Sequence, residues 1–216
     1  MEKDEATMSN IDKRIKFFQR KIDKGIGLDL PDRDGWTYLE SSFYIALARP
    51  HPKLEDARAL LLLGVDPDPI KFNPERLQSR HSPLMMAARK GYYALCELLL
   101  KKGANVNFMT SCGNTPLLLA SHHNHARTCM LLLDNGADPN QSLTFFGNNV
   151  DEMVAWPPLL WALYHHQEDL VNHLIKHNAK VTEQIRSKAL EIISWQINGC
   201  EALSSAVNKA ADNASS

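Results

Sequence analysis

The sequence predicts an all-α solenoid of stacked helix–turn–helix units, and three observations carry that expectation. First, a pattern recurs at an offset of 33 residues. Ser82-Pro-Leu-Met-Met-Ala-Ala-Arg-Lys-Gly91 matches Thr115-Pro-Leu-Leu-Leu-Ala-Ser-His-His-Asn124, and Leu98-Leu-Leu-Lys-Lys-Gly-Ala-Asn-Val-Asn107 matches Leu131-Leu-Leu-Asp-Asn-Gly-Ala-Asp-Pro-Asn140. Second, each copy opens on a hydroxyl residue followed by Pro and closes its helical runs on Gly or Asn, the residues that start and stop helices. Third, amphipathic stretches flank the copies on both sides.

Taken in order, residues 1–30 read as an N-terminal capping helix and lead-in. Ile11, Ile15, Phe18 and Ile22 are spaced at successive turns between Asn10 and about Lys24, which gives one apolar face. A first, loosely matching unit spans about 31–68, from Gly35-Trp-Thr-Tyr-Leu39 to Leu61-Leu-Leu-Gly-Val-Asp-Pro67, with added residues around Arg49-Pro-His-Pro52. The two close copies occupy about 77–109 and 110–141. A fourth unit at about 152–181 contains Pro157-Pro-Leu-Leu-Trp-Ala-Leu163 and Leu174-Ile-Lys-His-Asn-Ala179, and an insert at about 141–155 precedes its helices. Ile185, Ala189, Ile193 and Ile197 then mark a C-terminal capping helix from Thr182 to Asn198. The tail from about Ala202, rich in Ala, Ser and Asn, is expected to fray.

Local chemistry explains the punctuation. Thr115 and Ser82 can each cap the free N–H groups of a first helix, and Pro116 and Pro83 take the first helical position, where a missing donor costs nothing. Gly91 and Asn124 fall where the first helix must turn over, and Gly103 and Gly136 end the second helices. The Leu runs need a neighbouring unit to hide their apolar face, so stacking supplies the core. Cys96 and Cys129, at the same position of successive units, read as small core residues.

These residues and their spacing resemble the ankyrin-repeat family, whose repeat reads G-x-T-P-L-H-x-A-A, then G-H, then L-L-x-x-G-A-D-x-N. The resemblance covers about Pro31 to Val181 and implies an ankyrin-repeat solenoid. Met85, Leu118 and Leu160 stand where the family has His, so its hydrogen-bond network at that position is expected to be absent. Trp161 lies inside the fourth unit, and its indole N–H needs a partner. His125 matches the G-H position, where the residue is structural.

The resemblance also implies a module that binds another protein, as adaptor, inhibitor or effector, through the finger tips and first helices on the concave side. Mapped onto this chain, the contact positions are Arg33, Asp34, Trp36 and Tyr44; His81, Arg89 and Lys90; Asn114, His122 and His123; and Met153, Trp156, Tyr164 and His165. This set is rich in the aromatic and Arg side chains that dominate interface energetics. Phe145 and Phe146 make the insert a candidate docking loop, and an alternative reading has it modulate a partner enzyme, with the chain as a regulatory or targeting subunit. No enzymatic activity, cofactor or small-molecule substrate is expected, and the chain is expected to be a monomer on its own. Short chains of this style resemble eukaryotic cytosolic or nuclear proteins and also proteins that intracellular pathogens deliver into host cells.

Composition narrows the partners further. Twenty-four basic against twenty-five acidic residues leave a formal charge of −1, which offers little to nucleic acid or an anionic membrane. The acidic start lacks the apolar stretch of a secretory signal, and four scattered cysteines do not make a disulfide framework. A reducing cytoplasmic setting is therefore expected. His122, His123 and His125 lie close together, and His173 and His177 share a helix face at i, i+4, but a zinc site needs three or four ligands and no carboxylate or Cys completes the pattern in the sequence. No metal site is expected on that count.

Overall fold

The computed structural model describes residues 2–25, 38–48, 53–68, 81–111, 113–141, 156–194 and 201–214. Among these the regular structure is eleven helices. They group into two compact units, Met1–Ala87 with Tyr92–Asn105, and Ala88–Gly91 with Val106–Ser216.

In the first unit, α1 (Glu2–Asp23) packs against α3 (Leu54–Leu62). Ile11 and Phe18 are buried and Ile15 and Ile22 half-buried, so the apolar spacing read from the sequence does face the core. Arg14 adds a two-pronged ion pair to Asp56 of α3, Nη2 to Oδ2 at 2.7 Å and Nε to Oδ1. Such a fork fixes orientation as well as adding attraction. α2 (Tyr38–Ala48) packs on α3 with Phe43 wholly buried, and α5 (Tyr93–Lys101) lies on α3 with Leu99 wholly buried. α4 (Pro83–Arg89) begins in this unit, where the Ser82 hydroxyl accepts from the Met85 N–H at 3.2 Å, the expected cap.

The second unit contains α6 (Pro116–His122), α7 (Ala126–Asp134), α8 (Pro158–Tyr164) and α9 (Glu168–Lys176). The first helices α6 and α8 pack on each other, as do the second helices α7 and α9. Leu117, Leu118, Leu132, Leu133, Leu159, Leu163 and Leu174 are buried between them. Each such leucine stabilises the fold by roughly 1.5–3 kcal/mol relative to exposure. Thr115 accepts from the Leu118 N–H at 3.2 Å and caps α6. Met85, Leu118 and Leu160 are all buried, so the position that is His in the family pattern is apolar core here.

Each second helix ends on a residue with positive φ: Gly64, Gly103, Gly136 and Asn178. The following N–H then bonds back into the helix, as Ala137 does to the Leu132 carbonyl at 3.0 Å. Asn side chains link successive turns beyond these points. Asn107 donates to the Gly136 carbonyl and accepts from the Asp138 N–H, and Asn140 does the same with Asn178 and Lys180. The Asn that closes each close copy is thus a structural rung to the turn of the next repeat, within the second unit.

The C-terminal end differs from the expectation of one capping helix and a frayed tail. α10 (Glu183–Ser194) packs on α8, and the tail forms α11 (Glu201–Ala214), which packs on both α10 and α9. Val207 and Ala211, one turn apart, are buried, and Arg186 Nε donates to Asn208 Oδ1 at 2.9 Å. The stack therefore ends on a helix pair that continues both of its layers. Ala-rich sequence favours helix strongly once a neighbour covers its small apolar stripe.

Candidate partner-binding surface

The repeat places equivalent residues one above another at the ends of the first helices in the second unit. Arg89, His122 and Tyr164 are equivalent, as are Lys90, His123 and His165. Each first helix then turns over on a residue with positive φ, at Gly91, Asn124 and His166. Gly91 is required for a second reason: a Cβ there would meet His125 Nδ1 at 2.5 Å. The His125 ring lies against that glycine, and its Nε2–H donates to the Arg89 carbonyl at 3.2 Å, which agrees with a structural role.

On this framework a continuous group of rings assembles. Trp161 is central, with ring centroids 4.4 Å from His122, 4.9 Å from Trp156, 6.0 Å from Tyr164 and 6.1 Å from His165. Its planes are nearly perpendicular to His122 and Tyr164 and close to parallel with His165, the arrangements that aromatic quadrupoles favour. Tyr164 stands 6.0 Å from Trp156 and 5.3 Å from His165 and is 49% exposed. His123 edges onto His122 at 4.7 Å. His165 Nε2–H donates to the His122 carbonyl at 3.0 Å, tying the ends of α6 and α8 together. Gln167 donates to the Asn124 side-chain oxygen and reinforces that link.

The charge state of the group follows from its neighbours. Burial pushes the His122 imidazole below its ordinary value, and the nearby His165 and Arg89 push it further. His123 is lowered in the same sense, first by burial and then by His122, Arg89, His125 and Lys90. At neutral pH His122 and His123 are thus neutral rings beside the exposed cations Arg89 and Lys90. Cys96 offers no nucleophile: it is wholly buried, and burial pushes its thiol up to about 12.

Of the contact residues expected from the sequence, the structure gathers His122, His123, Trp156, Tyr164 and His165 into ring contact, with Arg89 and Lys90 beside them. His81 and Asn114 occupy the places ahead of α4 and α6 that Trp156 occupies ahead of α8; both are half-buried. Asn114 uses its backbone to close a turn with Thr110, accepting at 3.0 Å. Arg33, Asp34, Trp36, Phe145, Phe146 and Met153 lie outside the described residues, as does the Tyr44 side chain, although its backbone is part of α2. The residue that the sequence-based set misses is Trp161. Its spacing of three and four from Tyr164 and His165 puts all three on one helix side, which is the signal that could have included it. Its indole Nε1 is buried and has no hydrogen-bond partner among the described residues.

Comparison with known families gives one match: the family model for ankyrin repeats (3 copies) aligns with residues 43–143 and 84–185, together about two thirds of the chain. No curated protein matches the chain.

Proposed function

The chain belongs to the ankyrin-repeat family, and from that premise we propose that a partner protein docks on the first-helix surface built by Trp156, Trp161, Tyr164, His122, His123 and His165. Ankyrin repeats are generally protein–protein interaction modules and typically carry no catalysis. The observation that supports this particular surface is the contiguous ring cluster, which leaves Tyr164 half exposed at its edge. Exposed apolar patches rimmed by charge are common at interaction sites, and Trp, Tyr and Arg are the residues on which interface energy concentrates. The partner that fits has an apolar or aromatic anchor for the Trp156–Tyr164 edge and an acidic side chain facing Arg89 and Lys90. A cytoplasmic setting belongs to the same proposal.

The test is capture of partners from cell lysate by the intact chain and by a Trp156→Ala/Tyr164→Ala variant, with circular dichroism to check that the variant keeps its helices. A partner retained by the intact chain and lost from the folded variant supports the reading. Equal capture by both moves the contact elsewhere, with the 141–155 insert the first place to look. Arg89→Glu with Lys90→Glu then tests the acidic part of the partner, since charge reversal at a rim chiefly slows association.

A further inference from the structure

A second histidine cluster lies at the opposite layer of the same unit. Asp134 is the last residue of α7, His173 is in the last turn of α9, and His177 caps that helix. His173 Nε2 is 2.9 Å from Asp134 Oδ1, and His177 Nε2 is 3.4 Å from the same oxygen. The two imidazole rings face each other at 4.7 Å between centroids, tilted by 33°. One ligand atom from each of the three residues falls within 4.8 Å of the other two. The sequence offered only the i, i+4 histidine pair; the carboxylate that completes it comes from the preceding repeat, 39 residues from His173.

We propose that Asp134, His173 and His177 bind a divalent transition-metal ion of the zinc type. Four lines converge on it. Tetrahedral zinc with bonds of about 2.0–2.1 Å separates its ligand atoms by about 3.4 Å, and the carboxylate oxygen lies 2.9 and 3.4 Å from the two imidazole nitrogens, with all three ligand atoms within 4.8 Å of one another. Two imidazoles with one carboxylate select Zn2+, Co2+, Ni2+ or Cu2+ over Mg2+ and Ca2+, which require mostly oxygen ligands. Both ligand-bearing segments are helix C-terminal ends, whose partial negative charge favours a cation. Asp134 is 58% exposed and the two histidines are half-buried, so the ion has an entry path on the carboxylate side and water can fill the fourth position. Binding displaces any proton on the two Nε2 atoms, leaving each ring as the Nδ1–H tautomer. The ion would then join α7 to α9 across the repeat boundary and stabilise the folded chain by mass action.

The experiment is isothermal titration of tag-free, full-length protein with ZnCl2, in parallel with thermal melts with and without zinc. One saturable site per chain is expected, with a melting temperature that rises with zinc and returns on chelation. His173→Ala, His177→Ala and Asp134→Asn should each weaken binding at least about tenfold, since loss even of a residue that only orients a ligand costs 10–100-fold. Zinc should also shift the His173 and His177 imidazole resonances of the intact protein in a two-dimensional NMR spectrum, a readout that needs no variant. The proposal is overturned if the intact chain shows no saturable binding up to millimolar zinc. It is equally overturned if both His variants bind as the intact chain does, or if zinc moves other imidazoles and leaves these two in place.

Discussion

Two histidine clusters in one unit of this protein have opposite characters. At the ends of α6 and α8, His122, His123 and His165 pack among Trp156, Trp161 and Tyr164, with Arg89 and Lys90 as the nearest cations. At the ends of α7 and α9, His173 and His177 share one carboxylate oxygen of Asp134. The repeat generates both by the same device, stacking the ends of equivalent helices. The company kept by the imidazole decides the rest. Burial among aromatic and cationic neighbours keeps His122 and His123 neutral and makes an apolar surface; at the other cluster a carboxylate and two ring nitrogens converge as metal ligands do. A histidine in a repeat sequence is therefore read correctly only once the neighbouring repeat is in place.

The comparison can be broken at its common foundation. Leu132 is wholly buried in α7, the helix that carries Asp134 and packs with α6. Leu132→Ala should cost about 2–5 kcal/mol in urea unfolding and weaken both clusters together. Trp156→Ala in the first cluster should lower partner affinity by roughly 30-fold or more, the size of an interface hot spot of about 2 kcal/mol, measured by titration with the captured partner. Gly91→Ala should destabilise by about 1–2 kcal/mol from its φ of +68° alone, and by more because the new Cβ displaces the His125 ring. Thr115→Ala removes the cap of the helix that carries His122 and His123 and should cost about 1 kcal/mol in the same assay.

The smallest effect is the sharpest discriminator. Because His122 and His123 titrate below their ordinary value of 6.5 in the folded chain, the unfolded chain binds more protons as pH falls past 6.5. Their contribution to stability is present above that pH and is lost as pH falls through the lowered folded values. Unfolding measured on either side of 6.5 should show this slope, and His122→Gln with His123→Gln should flatten it.

Much of this was legible in the sequence. The Ser82-Pro83 and Thr115-Pro116 openings, the glycines closing α5 and α7 and the buried leucines follow from short-range rules that act within one repeat. A repeat fixes which side chains share a face, so His122, His123, Trp156, Tyr164 and His165 could be grouped from the sequence, and the structure brings these five rings together. What the sequence hid depends on pairing between units. Asp134 reaches His173 and His177 only because α7 and α9 stack, so a search for nearby ligands along the chain could not see it. α11 is hidden for a related reason: its Ala-rich stretch carries few large apolar side chains, and the helices that bury Val207 and Ala211 belong to the stack before it. Trp161 looked like an interior residue of α8, and its place at the hub of the cluster required Trp156 and His122 beside it.

The claim that the first-helix surface is where a partner docks is tested most directly by site-specific photo-crosslinking. A photoreactive phenylalanine analogue is introduced singly at Tyr164, in the ring cluster, or at exposed Lys176, at the end of α9, and the two proteins are irradiated in cell lysate. The account predicts a discrete partner adduct from position 164 and none from position 176. An adduct formed only at position 176, or equally at both, would contradict it.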